Sequence, residues 1–416
     1  MAETPAGRRR VFVTGIGLVS PHGAEPDAVF ERLYAGESAI RKVRSGTAEF
    51  GTDALLAAVA FDPEVAIPKL QLLFMDRVAQ MAVVAAHGAL AASGLLADNR
   101  GPEAAGVYLG CGLGGSQTIQ DAYRVYYERR SRKVKPTTVA LVMANAPAAQ
   151  VSMRYRIRGP TLTYSMACAS SAAAIGEAFR AIRDGYLSCA VAGGAESMLN
   201  DGSITAWEAL SVLAKEHRDG PAASSRPFAA DRTGFVLGEG AAVLVLEPED
   251  AMRSRGVRPL AEVVGYGAAS DAHNLTQPAM GGQVQAMRTA LADAKLSPEA
   301  IGYINAHATA TPAGDKVEID AIKETFGAHA RRLAVSATKS MHGHLVGAAG
   351  ALEFAITVLA LDKRRLPPTA NLTTPDPECD LDCVPCTGRE APGLEYALSN
   401  SFAFGGSNAV LVARRA

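Results

Sequence analysis

At 416 residues the chain exceeds the roughly 250–300 residues that one hydrophobic core organises, so two packed halves are expected. Lys and Arg (41) balance Asp and Glu (42) to a net charge of −1, which leaves no global basic field for nucleic acid. Hydrophobic content is 48%, yet no run of about 18 apolar residues exists, so no membrane partner is expected. After Arg8-Arg-Arg10 comes strand-like Val11-Phe-Val-Thr-Gly rather than a signal-peptide core, and the six cysteines are sparse and lie largely in apolar runs. The expectation is a cytoplasmic protein with free thiols.

In chain order, Val107–Cys111 reads as a short buried strand, Thr138–Arg154 as one Ala/Val-rich helix, and Pro160–Tyr164 as a strand. Past Cys168, the apolar residues Ile175, Phe179 and Ile182 recur at helical spacing until Gly185, and Cys189–Gly194 is the next strand. After a strand at Ala241–Glu247 and a break near Arg253–Pro259 the rhythm resumes. Helices are predicted over Gln283–Lys295, Lys316–Phe326 and Leu345–Leu361, with strands at Ile301–Asn305 and Leu333–Ser336. Alternation of this kind predicts an α/β protein with mostly parallel sheets covered by helices. No repeat is visible at residue level.

The chemistry concentrates at Cys168, His307 and His344. Cys168 lies in Tyr164-Ser-Met-Ala-Cys168-Ala-Ser-Ser, where small residues open a helix. A helix N-terminus presents free N–H groups and a favourable dipole, so a reactive thiolate is predicted there. The strand-to-helix elbow is the kind that exposes a nucleophile. His307 and His344 sit beyond predicted strands among Gly, Ser and Thr, where ligands gather in parallel sheets. One cysteine with two imidazoles predicts acyl transfer through a thioester.

Four ordered blocks carry a resemblance over nearly the whole chain: Arg226-Pro-Phe-Ala-Ala-Asp-Arg-Thr-Gly-Phe235-Val-Leu-Gly-Glu-Gly, Asn305-Ala-His307-Ala-Thr-Ala-Thr-Pro-Ala-Gly-Asp315-Lys-Val-Glu318, Lys339-Ser-Met-His-Gly-His344-Leu-Val-Gly-Ala-Ala-Gly-Ala-Leu-Glu353 and Asn400-Ser-Phe-Ala-Phe404-Gly-Gly-Ser-Asn408. The chain resembles the condensing enzymes, most closely the elongating type II β-ketoacyl-acyl carrier protein synthases. That resemblance implies a thiolase fold, an αβαβα five-layer sandwich of two similar halves, here residues 1–255 with the cysteine and 256–416 with the histidines. It implies an acyltransferase performing decarboxylative Claisen condensation of an acyl thioester with malonyl-acyl carrier protein. The substrate it implies is a fatty acid or type II polyketide or polyene acyl chain, extended by two carbons via an acyl-Cys168 intermediate.

The resemblance also implies the roles. Cys168 matches the acyl-accepting nucleophile, His307 and His344 the pair acting on the malonyl group, and Lys339 a buried lysine held by Glu353. Phe404 matches a gating aromatic whose N–H, with that of Cys168, forms the oxyanion hole. Phe235 matches an aromatic between the carrier-arm tunnel and the acyl pocket. Asp315, Glu318 and Asn408 are supporting residues, and Leu113, Thr138 and Trp207 align with the acyl pocket. No metal or cofactor is implied, the phosphopantetheine arm of the carrier being part of the substrate. The implied partners are acyl carrier protein and a second protomer across the strand Pro160–Tyr164, in a homodimer or in a heterodimer with a related ketosynthase-like subunit.

Several positions depart from the pattern. Ala403 stands where the family has Gly before the gating Phe, and His342 where a Thr is common. Leu70, Leu73 and Phe74 replace basic carrier-docking residues, and Arg129-Arg-Ser-Arg-Lys-Val-Lys135 offers basic contacts instead. Thr138 replaces an aromatic. Three rival readings are a chain-length-determining partner subunit, which typically lacks the cysteine; a coenzyme A thiolase, which carries Cys-His-Cys; and an iron–sulfur site at Cys379-x3-Cys383-x2-Cys386.

Overall fold

The computed structural model describes residues 8–45 and 52–416. Ten strands carry the architecture. The first five are β1 (Val11–Val19), β2 (Gly106–Gly110), β3 (Thr161–Tyr164), β4 (Ala190–Glu196) and β5 (Gly240–Pro248). The second five are β6 (Ala261–Ser270), β7 (Ile301–Asn305), β8 (Ala334–Ser336), β9 (Tyr396–Phe402) and β10 (Ser407–Arg415).

The strand order β8-β7-β9-β10-β6-β1-β5-β4-β2-β3 shows what residue identity hides. In each set the first strand pairs antiparallel with the fifth, and the fifth antiparallel with the fourth. The fourth then pairs parallel with the second, and the second parallel with the third. The two sets meet where Val11–Val13 runs antiparallel to Ala261–Val263. The repeat lies in topology, because a strand needs only apolar residues of suitable shape and tolerates many sequences. The sheet is mixed rather than mostly parallel. The fifth strand of each set runs against its neighbours, and β10 follows β9 through the short turn 403–406 as a hairpin does.

Helices α1 (Arg77–Ala92), α2 (Ser170–Arg183), α3 (Met280–Ala294), α4 (Pro312–Phe326) and α5 (Ala349–Lys363) complete five layers. α1 covers the outer face of the first set, and α3 the outer face of the second with α4 packed on it. α2 and α5 pack on each other and on strands of both sets, forming the central layer. Thirteen consecutive residues of α5, Ala349–Leu361, are buried, as expected of a helix apolar on all sides. Its one buried acid is Glu353.

The single helix predicted over Thr138–Arg154 is two, Thr138–Val142 and Ala146–Tyr155. Met143 leaves the helical region with ψ 137, and Pro147 opens the second helix at its first turn, where its missing N–H costs nothing. Among the described residues no helix is long and apolar enough to cross a membrane.

Candidate active site

Cys168 sits in a tight turn, Ala167–Ala169, between β3 and α2. Ala167 takes φ 44°, a left-handed conformation that is costly for a residue with a Cβ. Ser170 pins it: its Oγ accepts from the Met166 N–H at 2.8 Å and donates to the Ala167 carbonyl at 2.6 Å. The second half repeats the device. Val346–Ala348 forms the same turn before α5, Val346 has φ 45°, and Gly347 occupies the middle position that Cys168 holds in the first.

His344 Nε2 lies 3.0 Å from Cys168 Sγ, and the His344 N–H donates to the Val236 carbonyl at 2.7 Å. The rings of His307 and His344 meet edge to face with centroids 5.4 Å apart. His307 follows β7 by two residues, and its backbone is held by Glu318, which accepts from the N–H of His307 at 2.9 Å and of Ala308 at 2.7 Å. Asn400 Nδ2 donates to the same carboxylate at 2.9 Å. Lys339 Nζ donates to the His307 carbonyl at 2.6 Å, lies 3.4 Å from His307 Nδ1, and ion-pairs with Glu353 in full burial. Asp315 accepts from the N–H groups of Phe228 and Ala310 and faces Arg232, holding the loop after His307.

Burial dominates the electrostatics. It pushes the Cys168 thiol up to about 12, against the pull of Lys339 and of the Phe404 N–H that points at the sulfur. The predicted resting thiolate is therefore a thiol, because desolvation outweighs the helix N-terminus. Burial, then the Lys339 charge, holds both His307 and His344 well below the ordinary imidazole range. Both rings are neutral at physiological pH, each able to accept a proton at one nitrogen and donate at the other. The donor atoms of Cys168, His307 and His344 all lie within 4.8 Å of one another, a set that suits a soft metal ion, but the Lys339 ammonium beside them opposes a further dication.

These residues open on a cavity of about 300 Å³ lined also by Phe235, Trp207, Phe404 and Asn408. Trp207 sits 5.4 Å from Phe235 and 5.9 Å from Phe404, centroid to centroid, and Phe235 lies edge-on to His344. Asn408 Nδ2 donates to Asp271 at 2.6 Å, tying the Phe404 loop to the loop after β6. Leu113 and Thr138 do not line this cavity. Leu113 is 55% exposed and faces a separate groove with Ile119 and Tyr123, while Thr138 is half-buried at the start of its short helix.

The chain belongs to the β-ketoacyl synthase family. Residues 8–251 match the model of the β-ketoacyl synthase N-terminal domain and 260–373 that of the C-terminal domain. The chain is 40% identical over 407 residues to nodulation protein E of Rhizobium sp. (strain N33), covering 98% of this chain and 99% of that one. It is 39% identical over 412 residues to 3-oxoacyl-[acyl-carrier-protein] synthase 2 of Vibrio cholerae serotype O1, with coverage of 98% and 99%. Among solved structures, the ishigamide ketosynthase/chain length factor matches with a TM-score of 0.92 and 33% identity, over 99% of this chain and 100% of that one. A β-ketoacyl synthase from Burkholderia phymatum matches at 0.90 and 36%, covering 98% and 100%.

The iron–sulfur reading fails on geometry. Cys379 and Cys383 are buried, Cys386 is exposed and bonds the Leu372 carbonyl, and the three sulfurs do not converge; among the described residues only Cys168, His307 and His344 gather as a ligand set. Leu70, Leu73 and Phe74 are exposed (78, 65 and 57%) rather than repacked, and the basic side chains of 129–135 are exposed as well. His342 is buried, bonding Thr338 Oγ1 and the Gly343 carbonyl. Ala403 is extended at φ −123°, a conformation open to any residue. Glu196, which belongs to none of the four sequence blocks, is fully buried beside this site. Its signal was a lone acid closing the otherwise apolar run Ala190-Val-Ala-Gly-Gly-Ala-Glu196.

Proposed function

We propose that this chain extends an acyl chain by two carbons through decarboxylative condensation on an acyl-Cys168 intermediate. The observation that carries the reading is the Cys168 sulfur 3.0 Å from Nε2 of His344, with the His307 ring edge to face beside it, in one cavity; burial favours the neutral forms of the thiol and of both rings. His344 takes the Cys168 proton as the sulfur attacks the incoming acyl thioester. The N–H groups of Cys168 and Phe404 hold the tetrahedral oxyanion, and the proton passes to the departing carrier thiol. Malonyl thioester then enters, and loss of CO2 leaves an enolate whose oxygen accepts hydrogen bonds from His307 and, in the tautomer that carries the ring proton on Nε2, from His344. The enolate carbon attacks the Cys168 thioester, releasing a β-ketoacyl thioester and a Cys168 thiolate, which takes up a proton from solvent through His344 to restore the thiol.

Acyl carrier protein is the proposed donor and acceptor. Relatives are named for it, and one matching structure is described as a type II polyketide synthase acyl carrier protein in complex with its ketosynthase. The exposed basic run 129–135 suits an acidic carrier. A second protomer is proposed across β3, the terminal strand of the sheet, where Leu162 is 43% exposed; an unpaired edge of this kind is a template for another strand. A related subunit on that edge would make the heterodimer that the matching ketosynthase/chain length factor structures are named for. Thr138 and Leu113 are placed by this reading at a pocket wall completed by the partner. The test is intact mass and peptide mapping after incubation with acyl-carriers. One acyl group on Cys168 is expected, and an acyl group on Cys111 or Cys189 would overturn the assignment.

A further inference from the structure

Glu196 closes β4 and is fully buried without a cationic partner in its contacts. Its Oε2 accepts from the N–H of Gly112 at 2.7 Å and of Gly347 at 3.1 Å, and its Oε1 from the N–H of Leu113 at 3.4 Å. Both glycines make room for it: a Cβ on Gly112 or on Gly347 would fall 2.5 Å from Oε2. Gly112 and Leu113 follow β2 as His307 and Ala308 follow β7, and in both halves a buried carboxylate accepts two successive N–H groups. Glu318 thereby positions His307. Glu196 does more, because Gly347 belongs to the other half, in the elbow three residues past His344.

We propose that Glu196 is a positioning residue for acyl transfer, a carboxylate staple that joins the turn 112–113 of the first half to the Gly347 elbow of the second and so sets His344 against Cys168. The elbow packs against the turn Ala167–Ala169 that carries the nucleophile, and Val346 belongs to the same apolar cluster as Cys168 and Met198. Loosening Gly347 shifts the His344–Val346 segment, while His307, Lys339 and Glu353 stay held by their own contacts. The carboxylate supplies acceptors only, since its partners, the N–H groups of Gly112, Leu113 and Gly347 and the Cys111 thiol 4.0 Å from Oε1, are all donors; burial raises it to about 7, against the pull of those N–H groups and that of Ser197. This inference rests on the proposed acylation of Cys168.

The isosteric variant E196Q replaces one accepting oxygen with an NH2 that faces N–H donors. G347A keeps the carboxylate and crowds both sides of the staple, its Cβ falling 2.5 Å from Oε2 and 2.7 Å from the Gly112 nitrogen. The rate of acyl transfer from an acyl-N-acetylcysteamine thioester to Cys168 is read by mass, with KM and melting temperature measured on the same preparations. The expected result for both variants is a rate lowered by about 10- to 100-fold with KM within twofold of wild type, as for a misplacement on the ångström scale. Should E196Q be recovered only unfolded, G347A carries the same reading alone. A folded variant transferring acyl groups within twofold of wild type overturns the proposal, as does a loss of rate that disappears when the assay is cooled below a lowered melting temperature. Wild-type protein that takes up no acyl group would instead defeat the reading of Cys168.

Discussion

Lys339→Met separates what the buried ion pair does for folding from what it does for chemistry. Lys339 is 1% exposed, Glu353 is 0% exposed, and Lys339 also bonds the His307 carbonyl. Methionine fills most of the volume but leaves the Glu353 carboxylate uncompensated in α5, and breaking a buried pair in this way costs about 3–5 kcal/mol. A native domain holds only about 5–15 kcal/mol in all, so the urea midpoint should fall far enough to read without ambiguity. Trp207, the only tryptophan in the chain, lies in the catalytic cavity and reports the transition by fluorescence. The double variant Lys339→Met/Glu353→Gln removes the stranded charge and should recover most of that loss. It should not recover CO2 release, because the cation that pulls the Cys168 thiol down and fixes the His307 loop is gone in both variants. An unchanged midpoint in Lys339→Met, or decarboxylation restored in the double variant, would refute this account of the pair.

The remaining predictions concern protonation and the division of labour. With the Cys168 thiol raised from 9.0 to about 12, the thiolate fraction grows tenfold per pH unit across the neutral and mildly alkaline range, so iodoacetamide alkylation of Cys168 should climb without a plateau through pH 10; a plateau below pH 8 would reveal a thiolate–imidazolium pair instead. His307→Ala should still accept an acyl group on Cys168 but lose about 10²–10³ in CO2 release, the effect of one missing donor to a developing anion. His344→Ala should lose both steps, since Nε2 is the base 3.0 Å from the sulfur; acylation at the wild-type rate would remove it from that role.

The reactive residues were legible because chemistry restricts their type and surroundings. Cys168, His307, His344 and Lys339 stand in short blocks of small residues, and the structure gathers them from β3, β7 and the segment after β8 into one site. The resting state of the thiol was not legible, since the helix N-terminus shows in sequence while the desolvation that outweighs it depends on packing from both halves. The antiparallel strands escaped for a similar reason: Gly240–Pro248 reads as a buried apolar run whichever way it points. The role of Glu196 is not legible in sequence because it is held mainly by backbone N–H groups, which no side-chain pattern announces. Leu113 and Thr138 came from alignment alone, and the structure of one chain leaves both outside the cavity.

The most direct test of the central claim is a single-turnover reaction of acyl-loaded protein with malonyl-carrier, in which CO2, the fate of the acyl group on Cys168 and the product mass are followed together. The account predicts one CO2 released for each acyl group leaving Cys168, a β-ketoacyl-carrier two carbons longer, and no condensation by Cys168→Ala. Acyl transfer onto an acetyl donor without CO2 release, or condensation that persists in Cys168→Ala, would contradict it.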